Sequence, residues 1–350
     1  MRITQQMMTR SYKNRMSKNF SNLAKSNDRM SSQMKYSRVS DNTADVSRAF
    51  EIREQLYRNE QYSTNIRNAE GELSSVESNL RTISGFISNI KDRLLQANTD
   101  TMPASERALI AKELQGLQEN VLQISNAHYG EKYLFAGSGT GKAPFSKDAA
   151  TGKLMYNGYS VDDLVTNPST GKPAIYDATK PVDEQYTDID YNKDIYLDIG
   201  LGMVVNGDGV NAQIDTKSAI KLSTSGLEAF GYGTNSDGMP NNIYSALDKM
   251  ITDITNGNMR EMDKDVAHLE TLQDNLLMSI TDVGTRCTFL DETANRMEND
   301  SIILKTAQNK LEGVDLAGES IDNKSYEMSW MVTLQLGSKI IPPSLFDFLR

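Results

Sequence analysis

Residues 66–97 read Ile66-Arg-Asn-Ala69-Glu-Gly-Glu-Leu73-Ser-Ser-Val76-Glu-Ser-Asn-Leu80-Arg-Thr-Ile83-Ser-Gly-Phe-Ile87-Ser-Asn-Ile90-Lys-Asp-Arg-Leu94-Leu-Gln-Ala97. Alternating steps of three and four residues, starting at Ile66, meet ten positions, and all ten are apolar. A mean spacing of 3.5 lines one narrow stripe of a helix, and such a stripe needs a second helix to cover it. The stretch therefore predicts a long coiled-coil helix with Leu73, Leu80, Ile87 and Leu94 in its seam.

Working outward, Asn98-Thr-Asp-Thr-Met-Pro103 ends this helix, and Pro103 suits an early position of the next. That next helix carries Ile110, Leu114, Leu117, Val121 and Ile124 at the same spacing. The short connection predicts antiparallel neighbours. Far downstream the spacing recurs in Met262, Val266, Leu269, Gln273, Leu276, Ile280, Val283, Cys287, Leu290, Ala294 and Met297. A shorter run, Ile243, Leu247, Met250 and Ile254, stops at Asn256-Gly257-Asn258. Seams so far apart in sequence predict a segmented antiparallel coiled-coil bundle built from both ends of the chain.

Residues 130–240 separate the two flanks and hold 15 of the 23 glycines and five of the eight prolines. Turn formers at this density predict a β-rich insert. Within it, Ile195, Leu197 and Ile199 alternate as in a half-buried strand, and Asn206-Gly207 is a hairpin-turn dipeptide. The fold class is thus mainly α with a β insert. Glycine and proline divide the chain in three, with helical flanks 1–129 and 241–350 around the turn-rich centre.

The ends carry looser apolar stripes. Met8, Tyr12, Met16, Phe20, Leu23, Met30 and Met34 recur among basic residues at one end. At the other, Met328, Trp330, Met331, Leu334 and Leu336 precede Leu345-Phe346-Asp-Phe348-Leu349. Apolar termini of this kind are expected to be disordered or to meet a partner.

Composition narrows the chemistry. The 350 residues hold 37 Lys+Arg and 47 Asp+Glu, a net charge of −10, which argues against a general grip on nucleic acid. The first sixty residues nevertheless hold twelve Lys/Arg against six Asp/Glu. A basic start could bind anionic lipid or nucleic acid, but its stripe lacks the Trp and Leu density of helices lying in a membrane interface. One cysteine makes no intramolecular disulfide, and two histidines, His128 and His268, are too few for a histidine metal cluster. No apolar run approaches the roughly 20 residues of a membrane span. Met1-Arg-Ile-Thr-Gln-Gln-Met7 lacks the apolar core of a cleaved signal peptide, so none is expected.

Each remaining chemical candidate reads better as structure. Asp188-Ile-Asp190-Tyr-Asn192-Lys-Asp194 places oxygens on alternate residues, yet Lys193 stands where a calcium loop needs Gly and Ile199 where it needs Glu. Gly137-Ser-Gly-Thr-Gly141-Lys142 lacks the spacing of a phosphate loop and reads as a linker. Cys287 falls in the seam as a small hydrophobe, His128 packs or caps at a helix end, and His268 reads as surface. No catalytic, cofactor or metal residue is assigned. An enzyme would need convergent polar groups in the insert, and the inventory offers none.

Several segments resemble the bacterial flagellin family. They are Arg2-Ile-Thr-Gln-Gln-Met7, Ser40-Asp41, Asn126-Ala-His-Tyr-Gly-Glu-Lys-Tyr-Leu-Phe-Ala-Gly137, Val283-Gly284-Thr-Arg286 with Leu290-Asp291, Glu312-Gly-Val-Asp-Leu-Ala317 and Ser344-Leu-Phe-Asp-Phe-Leu349. The resemblance covers both flanks and favours the hook–filament junction members over filament flagellins, which stay as the alternative together with other secreted coiled-coil polymers. One departure falls at Asp41-Asn42-Thr43, where the family carries two aspartates and a proline.

What the resemblance implies is a structural subunit that assembles through Ile3, Met8, Tyr12, Met16, Phe20, Leu23, Asp41, Met328, Met331, Leu334, Leu345, Phe346, Phe348 and Leu349. Its rod core would comprise Leu73, Leu80, Ile87, Leu94, Leu117, Leu269, Leu276, Ile280, Val283, Cys287 and Leu290. Implied partners are further copies of itself, the first hook-associated protein on the hook side, flagellin on the filament side and a cytoplasmic export chaperone. Export by the flagellar type III route would place it outside the cell.

Overall fold

The computed structural model describes residues 2–98, 102–139, 141–181, 184–189, 194–207, 213–215, 218–258 and 260–340. Among the described residues seven α-helices carry the fold: α1 (Arg2–Ser32), α2 (Thr43–Ala97), α3 (Ala104–Ser125), α4 (Gly226–Phe230), α5 (Ile243–Asn256), α6 (Met262–Glu312) and α7 (Leu316–Ile340). Between α3 and α4 lie short antiparallel strands in sheets of two or three. The chain divides into two compact units, one of residues 61–297 and one made of the segments before and after it.

The 61–297 unit is held by the seam the sequence announces. Every one of the ten positions from Ile66 to Ala97 is at most 2% exposed. Leu269, Leu276 and Leu290 are fully buried and Val283 and Ile280 nearly so, all in one continuous cluster with them. Cross-links fix an antiparallel register between α2 and α6, since Lys91 pairs with Glu270, Ser88 accepts from Gln273 and Asn98 donates to Asp263. As residue numbers rise on α2 they fall on α6. Burying a leucine or isoleucine side chain contributes about 1.5–3 kcal/mol, so this row is one large part of the unit's cohesion, beside the buried residues of α3, α5 and the insert in the same cluster.

α3 lies beside α2, to which the Arg93–Glu113 ion pair links it, and packs more closely still on α5, where Gln118 Nε2 reaches the Tyr244 carbonyl at 3.1 Å. Three expectations are corrected here. Leu117 and Cys287 are half-buried at the cluster's margin instead of inside it. Burial also pushes the Cys287 thiol up, with Glu77 and Glu70 adding to the shift. His268 is buried, its Nε2 2.8 Å from the Pro240 carbonyl. His128 sits exposed on strand 128–129 beyond the end of α3. The physical reason is common to α6 and α3: a second neighbour covers another face. On α6 this buries Asp265, His268 and Leu272 beside the seam.

The insert hangs from the end of α3 by Asn126, whose side chain accepts from the Phe145 N–H and donates to its carbonyl, both at 2.9 Å. Phe135, Phe145, Tyr156 and Phe230 form its aromatic centre, with ring centroids 4.8–5.9 Å apart. Tyr156 donates to the Phe135 carbonyl, and burial lifts its hydroxyl to about 12. The tight two-residue hairpin turn is Asn157-Gly158, both at positive φ, joining Tyr156 to Tyr159. Asn206-Gly207 instead opens a longer connection to the strand at 213–214. The strand expected across 195–199 shrinks to Tyr196–Leu197, with Ile195 exposed and Ile199 buried. Positions 190–193 of the calcium-like stretch lie outside the described residues.

Candidate functional site on the paired terminal helices

In the other unit, α1 packs along α7. Their register is antiparallel. Tyr12 lies against Gly337, Asn19 donates to Thr333 at 2.8 Å, Phe20 and Trp330 stack at 5.3 Å, Asn323 bonds Ser26 and Asn27, and Arg29 pairs with Glu319 at 2.7 Å. The contact face of α7 is Glu319, Asn323, Tyr326, Trp330, Thr333 and Gly337, which alternate four and three steps. That of α1 is Tyr12, Met16, Asn19, Leu23, Ser26 and Met30 at the same spacing. Both are coiled-coil seams, but six of the twelve positions, Asn19, Ser26, Glu319, Asn323, Thr333 and Gly337, are polar or small. Polar residues at seam positions fix register at a cost in stability.

The outward faces are apolar. Met7 is 68% exposed, Met8 and Phe20 57%, Met328 54%, and Met331, Val332, Leu334 and Leu336 between 45% and 53%. Met8, Tyr12, Arg15, Lys18, Met328 and Val332 border a groove of about 770 Å³ along the pair. Of the residues expected at the assembly surface, Met8, Phe20, Met328, Met331 and Leu334 lie open, while Met16 and Leu23 are half-buried between the helices. Tyr12 is closed inside the pair, because only glycine at 337 leaves room for its ring: an added Cβ there would lie 2.1 Å from the Tyr12 hydroxyl. The side chain of Ile3 and residues Leu345, Phe346, Phe348 and Leu349 lie outside the described residues.

A polar clasp closes the other end of the pair. Lys35 N–H donates to the Glu312 carbonyl at 2.7 Å and Val314 N–H to that of Gln33. Arg53 holds the Glu312 carboxylate at 2.6 Å. Asp41 ends a 3₁₀ turn at 39–41, exposed, and its carboxylate accepts from the Arg38 N–H at 3.0 Å. Where the family has its proline, α2 starts from a side-chain cap instead. Asn42 Oδ1 accepts from the Asp45 N–H, and Asn42 Nδ2 donates back to the Asp45 carboxylate at 2.7 Å. Tyr36 completes the knot by donating to Asp45.

The polar half of the seam is what sequence reasoning missed. Asn19, Ser26, Asn323 and Thr333 sit in heptad register with Tyr12, Trp330 and Gly337, a signal invisible to a search for apolar stripes. Arg29–Glu319 was missed for the same reason. The Arg29 guanidinium, hydrogen-bonded to Glu319, holds that carboxyl below its ordinary range. Among the described residues, no group of three or more His, Cys, Asp or Glu could hold a metal. None of the described helices is long and apolar enough to cross a membrane.

The helical part of the structure includes the stretch that is similar to a known family, since residues 3–140 match the bacterial flagellin N-terminal helical region. The relatives it matches are narrower in kind. Flagellar hook-associated protein 3 of Escherichia coli is 28% identical over 166 residues, 47% of this chain and 52% of that one. The Salmonella typhimurium protein of the same name is 29% identical over 171 residues, 49% and 53% of the two chains. This chain thus spans about half the length of the curated relatives it matches. A solved structure described as a flagellar hook-associated protein from Vibrio parahaemolyticus shares the fold at TM-score 0.56 and 17% identity, covering 78% of this chain and all of that one.

Proposed function

We propose that this chain is a structural subunit of the bacterial flagellum at the junction between hook and filament. The observation that carries the reading is the arrangement of α1 and α7, which spend polar residues on each other and turn methionine, phenylalanine and leucine outward. Exposed apolar surface of this extent marks a protein contact. The names of the curated relatives give that contact its setting. Further copies of the chain cover it laterally, with the first hook-associated protein on one side and flagellin on the other. A cytoplasmic chaperone shields α7 before export, and the subunit ends outside the cell.

In this reading the terminal segments 1–45 and 318–350 assemble, the 46–135 and 241–317 coil transmits force, and the 136–240 insert faces outward. The role is mechanical and involves no turnover. Deleting the gene is expected to leave hooks without filaments by electron microscopy, with flagellin shed into the medium. Complementation by Met331→Asp/Leu334→Asp is expected to fail although the protein is made and exported. Normal filaments in the deletion strain would defeat the proposal.

A further inference from the structure

Between α5 and α6 sits a pair of carboxylates that no mechanical role uses. Asp253, in the last turn of α5, is 9% exposed, and Asp265, in the first turn of α6, is 1% exposed. Asn258 Nδ2 donates to Asp253 Oδ1 at 3.2 Å. The second oxygen of Asp253 and both oxygens of Asp265 have no hydrogen-bond partner among the described residues. A buried carboxylate without donors is held at a cost of several kcal/mol unless it takes up a proton or a cation.

The groups facing this pair do not neutralise it. On α5, Lys249 is half-buried and draws Asp265 toward its charged form. Before α6, Glu261 opposes that effect, and Lys264 is committed to Glu261 at 2.9 Å. The 237–240 stretch brings Asp237 near Lys264 and the Pro240 carbonyl to His268. Since a carbonyl only accepts, His268 Nε2–H donates to it; the imidazole also draws Asp265 toward its charged form, without a hydrogen bond to it.

We propose that Asp253 and Asp265 form a proton-binding carboxyl pair, with the proton resident on Asp265, that tightens the α5–α6 junction in mildly acidic solution and loosens it above neutrality. A protonated Asp265 is neutral, which ends its repulsion with Asp253 and removes the cost of a buried, unpartnered charge. Burial first, and then the charge of Asp253, lifts Asp265 to about 6. A folded value above the ordinary one of about 3.9 means that proton uptake favours the folded state. The gain is complete below the unfolded value and is lost as pH rises through the folded one. The inference stands independently of the assembly role.

The test is thermal unfolding of the full chain and of Asp265→Asn between pH 5 and 8. Asparagine supplies a donor without charge at every pH. The variant is expected to melt higher at pH 8, by about 2–4 °C or more for a unit of this size, with the two curves converging toward pH 5. Parallel profiles would overturn the proposal. Should Asp265→Asn not fold, titration of the wild-type Asp265 carboxyl by selectively labelled carbon NMR decides. A midpoint near 6 supports the pair, and one near 4 overturns it. Melting the wild type at pH 7.5 with added calcium chloride, against chelator alone, separates proton from cation. A calcium-dependent rise abolished in Asp265→Asn or Asp253→Asn would show a cation site and defeat the proton reading.

Discussion

Two antiparallel helix pairs run through this molecule, and they differ in what lies between the helices. The α2/α6 seam is dry, with Leu73, Leu80, Ile87 and Leu94 meeting Leu269, Leu276 and Leu290 at zero exposure. The α1/α7 seam mixes Met16, Leu23 and Trp330 with Asn19, Ser26, Asn323, Thr333 and Gly337, and leaves further apolar residues, Met8, Met328, Met331 and Leu334 among them, outside. A 3.5-residue period therefore says that two helices meet, while the identity of the seam residues says how firmly. The dry pair is self-sufficient. The polar pair is poised to exchange its weak internal contacts for stronger ones with neighbouring molecules.

The largest expected effect lies in the dry pair. Leu276→Ala or Leu290→Ala should destabilise the 61–297 unit by roughly 2–5 kcal/mol, measured by urea unfolding. Leu334→Ala on the open face of α7 should stay within about 0.5 kcal/mol in the free chain. Equal losses at both positions would erase the distinction between the pairs.

Next comes the start of α2. Asn42→Ala removes the cap on Asp45 and should cost about 0.5–2 kcal/mol. Thr43→Pro puts a proline at the first helical position, where no amide is lost to the helix and Asn42 is already extended at φ −157° and ψ 95°. It should be neutral or stabilising by up to about 1 kcal/mol. A large loss in Thr43→Pro would show that the turn is built differently.

Gly337→Ala should open the polar pair by about 1 kcal/mol, because the methyl overlaps the buried Tyr12 ring. Pairing it with Tyr12→Phe removes the nearest atom and should recover part of the loss. Full tolerance of Gly337→Ala by amide exchange in α1 would mean that the two helices are already apart. The smallest effect belongs to Arg29–Glu319, a partly exposed pair worth about 0.2–1 kcal/mol. Because Arg29 depresses Glu319, its contribution is present above the ordinary carboxylate value of about 4.3. It fades as pH falls through the lower folded value, and Glu319→Gln should flatten that dependence.

How far the sequence can be read follows from the same contrast. The dry seam was legible position by position from Ile66 to Ala97, since each seam residue is apolar and its chain neighbours, Phe86 and Leu95 apart, are polar. At the start of α6 the reading slipped, because Asp265 and His268 are buried by a second neighbour that a single-seam pattern does not encode. The terminal pair was legible only as a loose stripe. Met16, Leu23 and Met30 mark the true contact face, but Met8 and Phe20 lie off it, and the asparagine, serine and glycine that complete the seam carry no hydrophobic signal. In the insert, Asn157-Gly158 and Asn206-Gly207 look alike in sequence, and only the pairing of Tyr156 with Tyr159 tells the tight turn from the longer connection.

Amide hydrogen exchange of the isolated full-length chain, compared with the chain bound to purified hook ends, probes the difference between the two pairs at once. Slow exchange in 66–97 and 262–297 in both states is expected, with 6–32 and 316–337 exchanging orders of magnitude faster until the hook end is added, and slow thereafter. Terminal helices as protected in the free chain as the dry pair, and unchanged on binding, would show instead a molecule already complete by itself.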